Sequence, residues 1–234
     1  MVEKLDRWCD NLWIYFMCMV GGIVLIALIV NWNAWPLGAK GGAFCAIIMP
    51  LHVIEEWKLP GGLHYFYNTL LGPKEPAARH LDRFPMSRLT DMCTNLGMQF
   101  IPLIYLVLSL ITNLSDSLAI AMMLFCFLEV VCHSVAGAAC MVMFRKAGKR
   151  TMYNPGLATS YVLFLPAGIY LAWGLSGMET ENWVGGVIAL AVILILTIPV
   201  PEAPLKKWVL KQEGDAFAFQ SPKYFSKFAD KDRS

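Results

Sequence analysis

Long apolar runs separated by short polar segments fill the chain up to about residue 200. A helix needs about 20 predominantly apolar residues to cross the roughly 30 Å hydrocarbon layer of a bilayer. The pattern therefore predicts an all-α fold, a polytopic transmembrane helical bundle over residues 12–200, preceded by an N-terminal segment 1–11 and followed by a polar tail 201–234. Its six predicted spans are Leu12–Val30, Trp35–Trp57, Leu89–Ile111, Leu118–Phe144, Leu157–Gly174 and Trp183–Val200.

The second of these spans is the weakest by hydropathy. It contains Lys40, several glycines and Pro50, and its strictly apolar part, Ala43–Ile54, has a length that also suits a re-entrant segment. Loop charge favours a full crossing, because short cytoplasmic loops collect Lys and Arg. With six spans, all of the 19 basic residues except Lys40 fall on one side, together with both termini. We therefore expect an integral, multi-pass membrane protein with both termini in the cytoplasm.

The composition supports the bilayer as the main partner. Hydrophobic residues make up 57% of the chain and charged residues only 15%, a surplus of apolar surface that one soluble core cannot hide. No basic face interleaved with aromatics indicates nucleic acid. The seven cysteines are scattered without a CxxC pair, which is typical of small buried hydrophobes. The polar tail, basic with interspersed aromatics, is expected to be flexible and to lie along the membrane.

Ionisable side chains cluster inside two of the spans. His52, Glu55 and Glu56 share one face of the second span, and Glu129 and His133 stand one turn apart in the fourth. Such residues cost about 2.5–3.5 kcal/mol each on insertion scales, so their presence indicates function. Because imidazole and carboxylate are ligands for Zn, Fe or Mn, the pattern predicts a metal site with these ligands: His52, Glu55, Glu129 and His133.

Further polar residues near the same membrane face have predicted supporting roles. Glu56 is the candidate general base for a water on the metal, or a further ligand. Four residues are predicted to orient the metal ligands by hydrogen bonds: Asn95, Gln99, Tyr153 and Asn154. The sequence also allows simpler interpretations, in which Glu55 and Glu56 lie at the headgroup boundary and the histidines are satisfied core residues. Asn154-Pro155 equally suits the start of a helix.

A difference in depth bears on this site. At a rise of 1.5 Å per residue, His133 lies roughly 18 Å from Arg145, whereas His52 lies only about 8 Å from Trp57. The two segments meet only if Pro50 kinks the second span or if the fourth span extends beyond the membrane.

The string His52-Val53-Ile54-Glu55-Glu56 resembles the motif of the HXXEE family, small multi-span membrane proteins mostly from bacteria and fungi whose biochemical role is unassigned. The Glu129-x-x-x-His133 pair and Tyr153-Asn154-Pro155-Gly156-Leu157 are similar to further features of that family, so the resemblance covers about residues 35–170. It implies the same membrane fold and, as an expectation, a bacterial cytoplasmic (inner) membrane.

The double glutamate and His133 also resemble the outline of intramembrane metalloproteases of the CAAX-processing type. The Arg three residues beyond the glutamates is absent here, and no His follows His133. The likeness therefore extends to the ligand types and not to the complete motif.

Three functions remain open from the sequence. The first is a metal-dependent membrane enzyme, a hydrolase or a di-iron oxidase, that acts on an amphiphilic or lipid-like substrate. The second is a small transporter or proton-coupled carrier, in which Glu129 and His133 form a proton relay. Discontinuous helices at Pro50 and Pro102 would favour this function. The third is a non-catalytic partner subunit.

Overall fold

The computed structural model describes residues 2–75, 80–176 and 180–229, and within these ranges the protein is helical without strands. Among the described residues, six helices are long and apolar enough to cross a membrane. The helices are α1 (Val2–Val30, with a π-helical turn at Trp8–Leu12), α2 (Leu37–Trp57), α3 (Leu63–Leu71), α4 (Arg88–Ile111), α5 (Ser115–Met143), α6 (Leu157–Gly174, π-helical over Ser160–Phe164), α7 (Thr180–Thr197), α8 (Pro199–Val209) and α9 (Ser226–Ala229).

The predicted bundle of six spans is confirmed, with shifts at the helix ends. The first helix begins already at Val2, and the sixth continues through a break at Ile198 into α8. The second span is one continuous helix of 21 residues, long enough to cross, and not a short re-entrant segment. The loop predicted at 176–182 and the end of the tail lie partly outside the described residues.

Proline does not interrupt the helices, which corrects the expected discontinuities at Pro50 and Pro102: α2 and α4 run through them. Proline lacks the N–H that bonds the carbonyl four residues earlier, so Pro50 leaves the carbonyl of Ala46 without its helical donor. The buried Gln99 side chain supplies one, because its Nε2 donates to Ala46 O and to Met17 O, both at 2.9 Å. Gln99 thereby ties α4 to α2 and α1.

The fourth span resolves the difference in depth. α5 has 29 residues and α2 has 21, which correspond to about 43 Å and about 31 Å. α5 therefore extends beyond α2 at the end of the bundle that carries both termini and the connections 58–87 and 144–156, here called the basic end. There its last turns pack in an aromatic cluster with Phe66, Phe225 and Phe228.

The tail folds back on the basic end, so the expectation of a flexible tail is wrong. Phe217 and Phe225 are fully buried. The backbone of Phe217 accepts from Arg88 N at 2.9 Å, and its N–H donates to Asp6 Oδ1 at 2.7 Å. The Arg88 guanidinium joins the same region by ion pairs with Asp6 and Asp10. Phe217 and Phe225, together with the buried Phe228, are therefore core residues.

We predict that Gln99→Met destabilises the bundle by about 1 kcal/mol, because the Ala46 carbonyl then loses its donor. Pro50→Ala restores a backbone N–H to that carbonyl, so the loss caused by Gln99→Met should shrink in the Pro50→Ala background. A double-mutant cycle of unfolding free energies in detergent measures this coupling. Equal losses in both backgrounds would contradict the account.

Candidate metal centre

Two histidines from different spans meet inside the bundle. α2 and α5 both run towards the basic end and pack side by side, which places the rings of His52 and His133 edge to face with their centroids 4.8 Å apart. Both residues are buried. The same seam holds Cys45 and Cys126, whose sulfurs are 3.8 Å apart, seven residues before each histidine. Equal spacing on the two helices explains why both pairs lie level.

The two imidazoles turn the same nitrogen towards carboxylates. His52 Nε2 lies 3.2 Å from Glu56 Oε1 and 3.6 Å from Glu129 Oε2. His133 Nε2 lies 3.3 Å and 3.8 Å from the same two oxygens. Donor atoms of His52, Glu129 and His133 all lie within 4.8 Å of one another, close enough for these three residues to hold one metal ion.

Asn154 sets the tautomer of His133. Its Nδ2 donates to the backbone carbonyl of His133 at 2.9 Å, which turns its Oδ1 towards His133 Nδ1 at 3.1 Å. An amide oxygen only accepts hydrogen bonds, so Nδ1 carries the proton. In the neutral ring, Nε2 then presents its lone pair to the carboxylates.

Thr159 does the same for His52. The Thr159 hydroxyl donates to Glu55 Oε2 at 2.6 Å, so its oxygen accepts from His52 Nδ1 at 2.7 Å. The neutral His52 ring therefore also presents the Nε2 lone pair. This arrangement, with Nδ1 held by a polar partner and Nε2 free, is the usual one for a histidine that binds a metal.

The inward-facing atoms of this cluster are two imidazole nitrogens and the oxygens of two carboxylates. Two nitrogen lone pairs and two carboxylates face one another in a buried place, which is costly unless protons or a cation separate them. In a tetrahedral site with bonds of about 2.1 Å, neighbouring ligand atoms are about 3.4 Å apart. Between the three candidate ligands, Glu129 Oε2 lies 3.6 Å from His52 Nε2 and 3.8 Å from His133 Nε2, close to that spacing, so these donors could hold a divalent transition metal.

Glu55, predicted as a ligand, is placed apart from this group. Its Oε1 accepts from the Tyr153 hydroxyl and the N–H of Ala158, and its Oε2 accepts from the N–H and the hydroxyl of Thr159, all within 3.1 Å. The N–H groups at a helix start have no partner inside the helix, so Glu55 caps the first turn of α6 from a neighbouring span. The carboxylate oxygens of Glu55 therefore accept hydrogen bonds at the start of α6 and do not face the histidines.

The predicted supporting residues divide into two sets. Asn154 contacts His133 directly, and Tyr153 reaches the site through Glu55. Asn95 instead donates to the backbone and the carboxylate of Asp91, which also accepts from the Trp57 indole. Gln99 bonds the backbones of α1 and α2 as described above. These two amides therefore belong to helix packing on the α4 side.

Two glycines allow the 149–156 connection to approach α5. Gly156 has φ +96° and lies directly against the His133 ring, so that a Cβ there would overlap the imidazole. Gly137 faces the carbonyl of Met152 and the Asn154 amide in the same close manner. The second contact differs from helix–helix packing, the usual reason for glycine inside a span.

Sequence reasoning missed Thr159, although it bonds both His52 and Glu55. A signal existed, since Thr159 is a polar residue in the first turn of the predicted fifth span, at the same membrane face as the other candidates. A π-helical stretch, Ser160–Phe164, follows it directly, and such stretches are frequent at functional sites. Phe164 of this stretch packs edge to face on the His52 ring at 5.3 Å.

Comparison with known proteins gives one match. The model of a family described as "Protein of unknown function with HXXEE motif" matches residues 43–171. This stretch includes the metal-ligand candidates, Asn154 and Thr159. No curated protein and no solved structure matches the chain.

We predict that Gly156→Ala displaces the His133 ring and lowers metal content severalfold, because the new methyl group overlaps the imidazole. Gly148→Ala is the matched control, since Gly148 has the same φ of +96° but no atom within 4 Å of the position that its new methyl group would take. Both variants bear the backbone cost of about 1–2 kcal/mol. Elemental analysis of the purified proteins should therefore separate them, and equal metal content would contradict the steric account.

We predict that Thr159→Val weakens metal binding about 10–100-fold, because His52 Nδ1 and Glu55 lose their shared hydroxyl. Thr159→Ser keeps the hydroxyl and should bind like the parent protein. Competition with a chromophoric chelator gives both affinities. If valine and serine behave alike, the hydroxyl does not orient His52.

Proposed function

Since the chain belongs to the family of proteins of unknown function with an HXXEE motif, we propose its function from the geometry: it is a metal-dependent membrane enzyme. The observation that supports this proposal most is the convergence of two imidazole Nε2 atoms and two carboxylates between α2 and α5. Both rings are oriented by Asn154 and Thr159, and a buried group of this kind is stabilised by a cation between its members.

In the proposed centre, the ligands of a Zn, Fe or Mn ion are His52, Glu129 and His133. Three protein ligands would leave one coordination position free, as in catalytic zinc sites. Structural zinc sites differ in that they have four protein ligands. The ion polarises an oxygen bound to it and lowers the pKa of water. Glu55 is withdrawn from the proposed ligand set, because its oxygens cap α6.

Glu56 is the proposed general base. Its Oε1 lies 3.2 Å from His52 Nε2 and 3.3 Å from His133 Nε2, which also puts it within reach of a water at the centre. A carboxylate next to the ligands can take a proton from water and return it to a leaving group. With a bound oxygen and an adjacent base, hydrolysis is the reaction that this set of residues supports best.

An amphiphilic or lipid-like substrate suits the location. The centre lies between apolar helices rather than in a solvent cleft, and the Glu129 side chain is 14% exposed. Its neighbours Val131 and Cys132, and Leu51 beside His52, face outward from the bundle, where lipid chains lie. A substrate that partitions into the bilayer therefore reaches Glu129 without first passing through water.

We predict that the purified protein holds about one equivalent of a divalent transition metal, and that His52→Ala, His133→Ala and Glu129→Gln each lose most of it. His80→Ala is the control, because His80 is exposed and lies outside the cluster. Elemental analysis after exchange into metal-free detergent buffer gives the result. A metal-free parent protein, with Glu129→Gln shifting the pH dependence of a transport activity, would instead support the proton-coupled carrier.

We predict that Glu56→Gln keeps its metal but loses activity by about 10²–10⁴-fold, the usual contribution of a general base. The parent protein and this variant, each in nanodiscs, are incubated with a total lipid extract, and products are compared by mass spectrometry. Products that appear equally with both proteins, or without metal, would rule out the proposed role of Glu56.

A further inference from the structure

The C-terminal segment 214–229, here called the strap, crosses the basic end of the bundle. Backbone hydrogen bonds attach it to three places: Arg88 N donates to Phe217 O, Phe219 N to Asp82 O, and Tyr224 N to Gly61 O. Gly62 continues this contact, since a Cβ at this position would overlap the carbonyl of Pro222. The strap therefore lies over the turn that follows the last residues of α2.

Its first half covers the end of α2 next to Glu55 and Glu56. Phe219 packs edge to face on Trp57 with ring centroids 4.9 Å apart, and it stacks flat on His64 at 3.8 Å. Burial, with Lys223 nearby, lowers the pKa of His64 to about 3, so His64 acts here as a neutral aromatic ring. Trp57 ends α2 directly after Glu56, and it remains buried.

The second half reaches the partners of Glu55. Tyr224 packs edge to face on Tyr153 at 5.2 Å, and Tyr153 donates to Glu55. The buried Lys149 ammonium joins the two sides, since it donates to Tyr153 O at 2.6 Å and to the Tyr224 hydroxyl at 3.0 Å. The strap thus contacts both segments that flank the metal-ligand candidates on this side.

Between its buried phenylalanines, the strap is held less regularly than a helix of the bundle. A cavity of about 430 Å³ remains beneath it, lined by Asp215, Ala218, Phe219 and Gln220 of the strap and by Asp6, Asp82 and Arg88 of the bundle. Phe217 and Lys223 have φ angles of 60° and 47°. This backbone conformation is unfavourable for residues other than glycine. Tertiary contacts, rather than backbone preference, therefore hold the strap down.

We infer that the strap is a gate over the metal centre, which the ion passes when the strap lifts from Trp57 and Tyr153. This inference rests on the proposed metal site and adds its route of loading. Phe219 and Tyr224 are only partly buried and lie between the fully buried Phe217 and Phe225. A segment of this kind opens locally at a fraction of the free energy of global unfolding, and lids set the rates of exchange without taking part in the chemistry.

The test is the rate at which a bound ion is lost to excess EDTA. The protein is loaded with Co²⁺, whose visible absorption reports the ligand set, and the decay of that absorption is followed. Phe219→Ala removes the contacts with Trp57 and His64, and Tyr224→Phe removes only the hydroxyl that accepts from Lys149. Phe100→Ala is the control, because Phe100 stacks on Phe16 at 6.0 Å on a lipid-facing surface away from the strap.

We expect both strap variants to lose Co²⁺ faster by about three- to tenfold, with the absorption spectrum of the loaded protein unchanged and Phe100→Ala unaffected. Unchanged rates in both variants would overturn the gate. An altered spectrum would also overturn it, since the strap would then shape the ligand set itself. If the parent protein binds no Co²⁺, the metal site is wrong, which is a different result from either.

Discussion

The hydrogen bonding of Glu55 is the interaction on which the centre depends. A carboxylate inside a membrane protein is tolerated only where donors surround it, and the first turn of α6 offers N–H groups that its own helix cannot use. Four hydrogen bonds to Glu55 satisfy both needs. They fix α6 against α2, which places Thr159 on His52 and brings the Asn154–Gly156 segment against His133.

The fold could be predicted from hydropathy and loop charge because both follow from the bilayer itself. The cluster could be predicted in part, since His52, Glu129 and His133 stand at helical spacing within spans where ionisable residues are costly. The sequence could not predict which of the two glutamates, Glu55 or Glu56, faces the cluster. Glu55 and Glu56 differ by a rotation of 100° about the helix axis, and the choice between them depends on a turn about 100 residues later in the chain.

Two other errors of prediction have definite physical causes. Asn95 and Gln99 form a polar stripe that pointed to the site, but Pro50 creates a competing need for a donor at Ala46, and Gln99 meets it. The tail looked like a solvated segment because its composition is polar and basic. Phe225 and Phe228 are buried against the extended end of α5. That helix, at about 43 Å, is longer than the roughly 30 Å hydrocarbon layer and provides the surface for them.

The distribution of polarity along the seam between α2 and α5 accounts for the direction in which the centre faces. Deep in the bundle the seam holds the thiols of Cys45 and Cys126, which need no partners in an apolar medium. Two helical turns nearer the basic end it holds imidazoles and carboxylates, whose lone pairs need protons or a cation between them. The free energy of desolvating charged ligands is smallest close to the membrane interface. At this level α6 and the 149–156 connection contact the ligand residues from the side, and the strap lies across the end of α2. The proposed metal site therefore lies at the level of the seam where the candidate ligands, their supporting hydrogen bonds and the strap coincide.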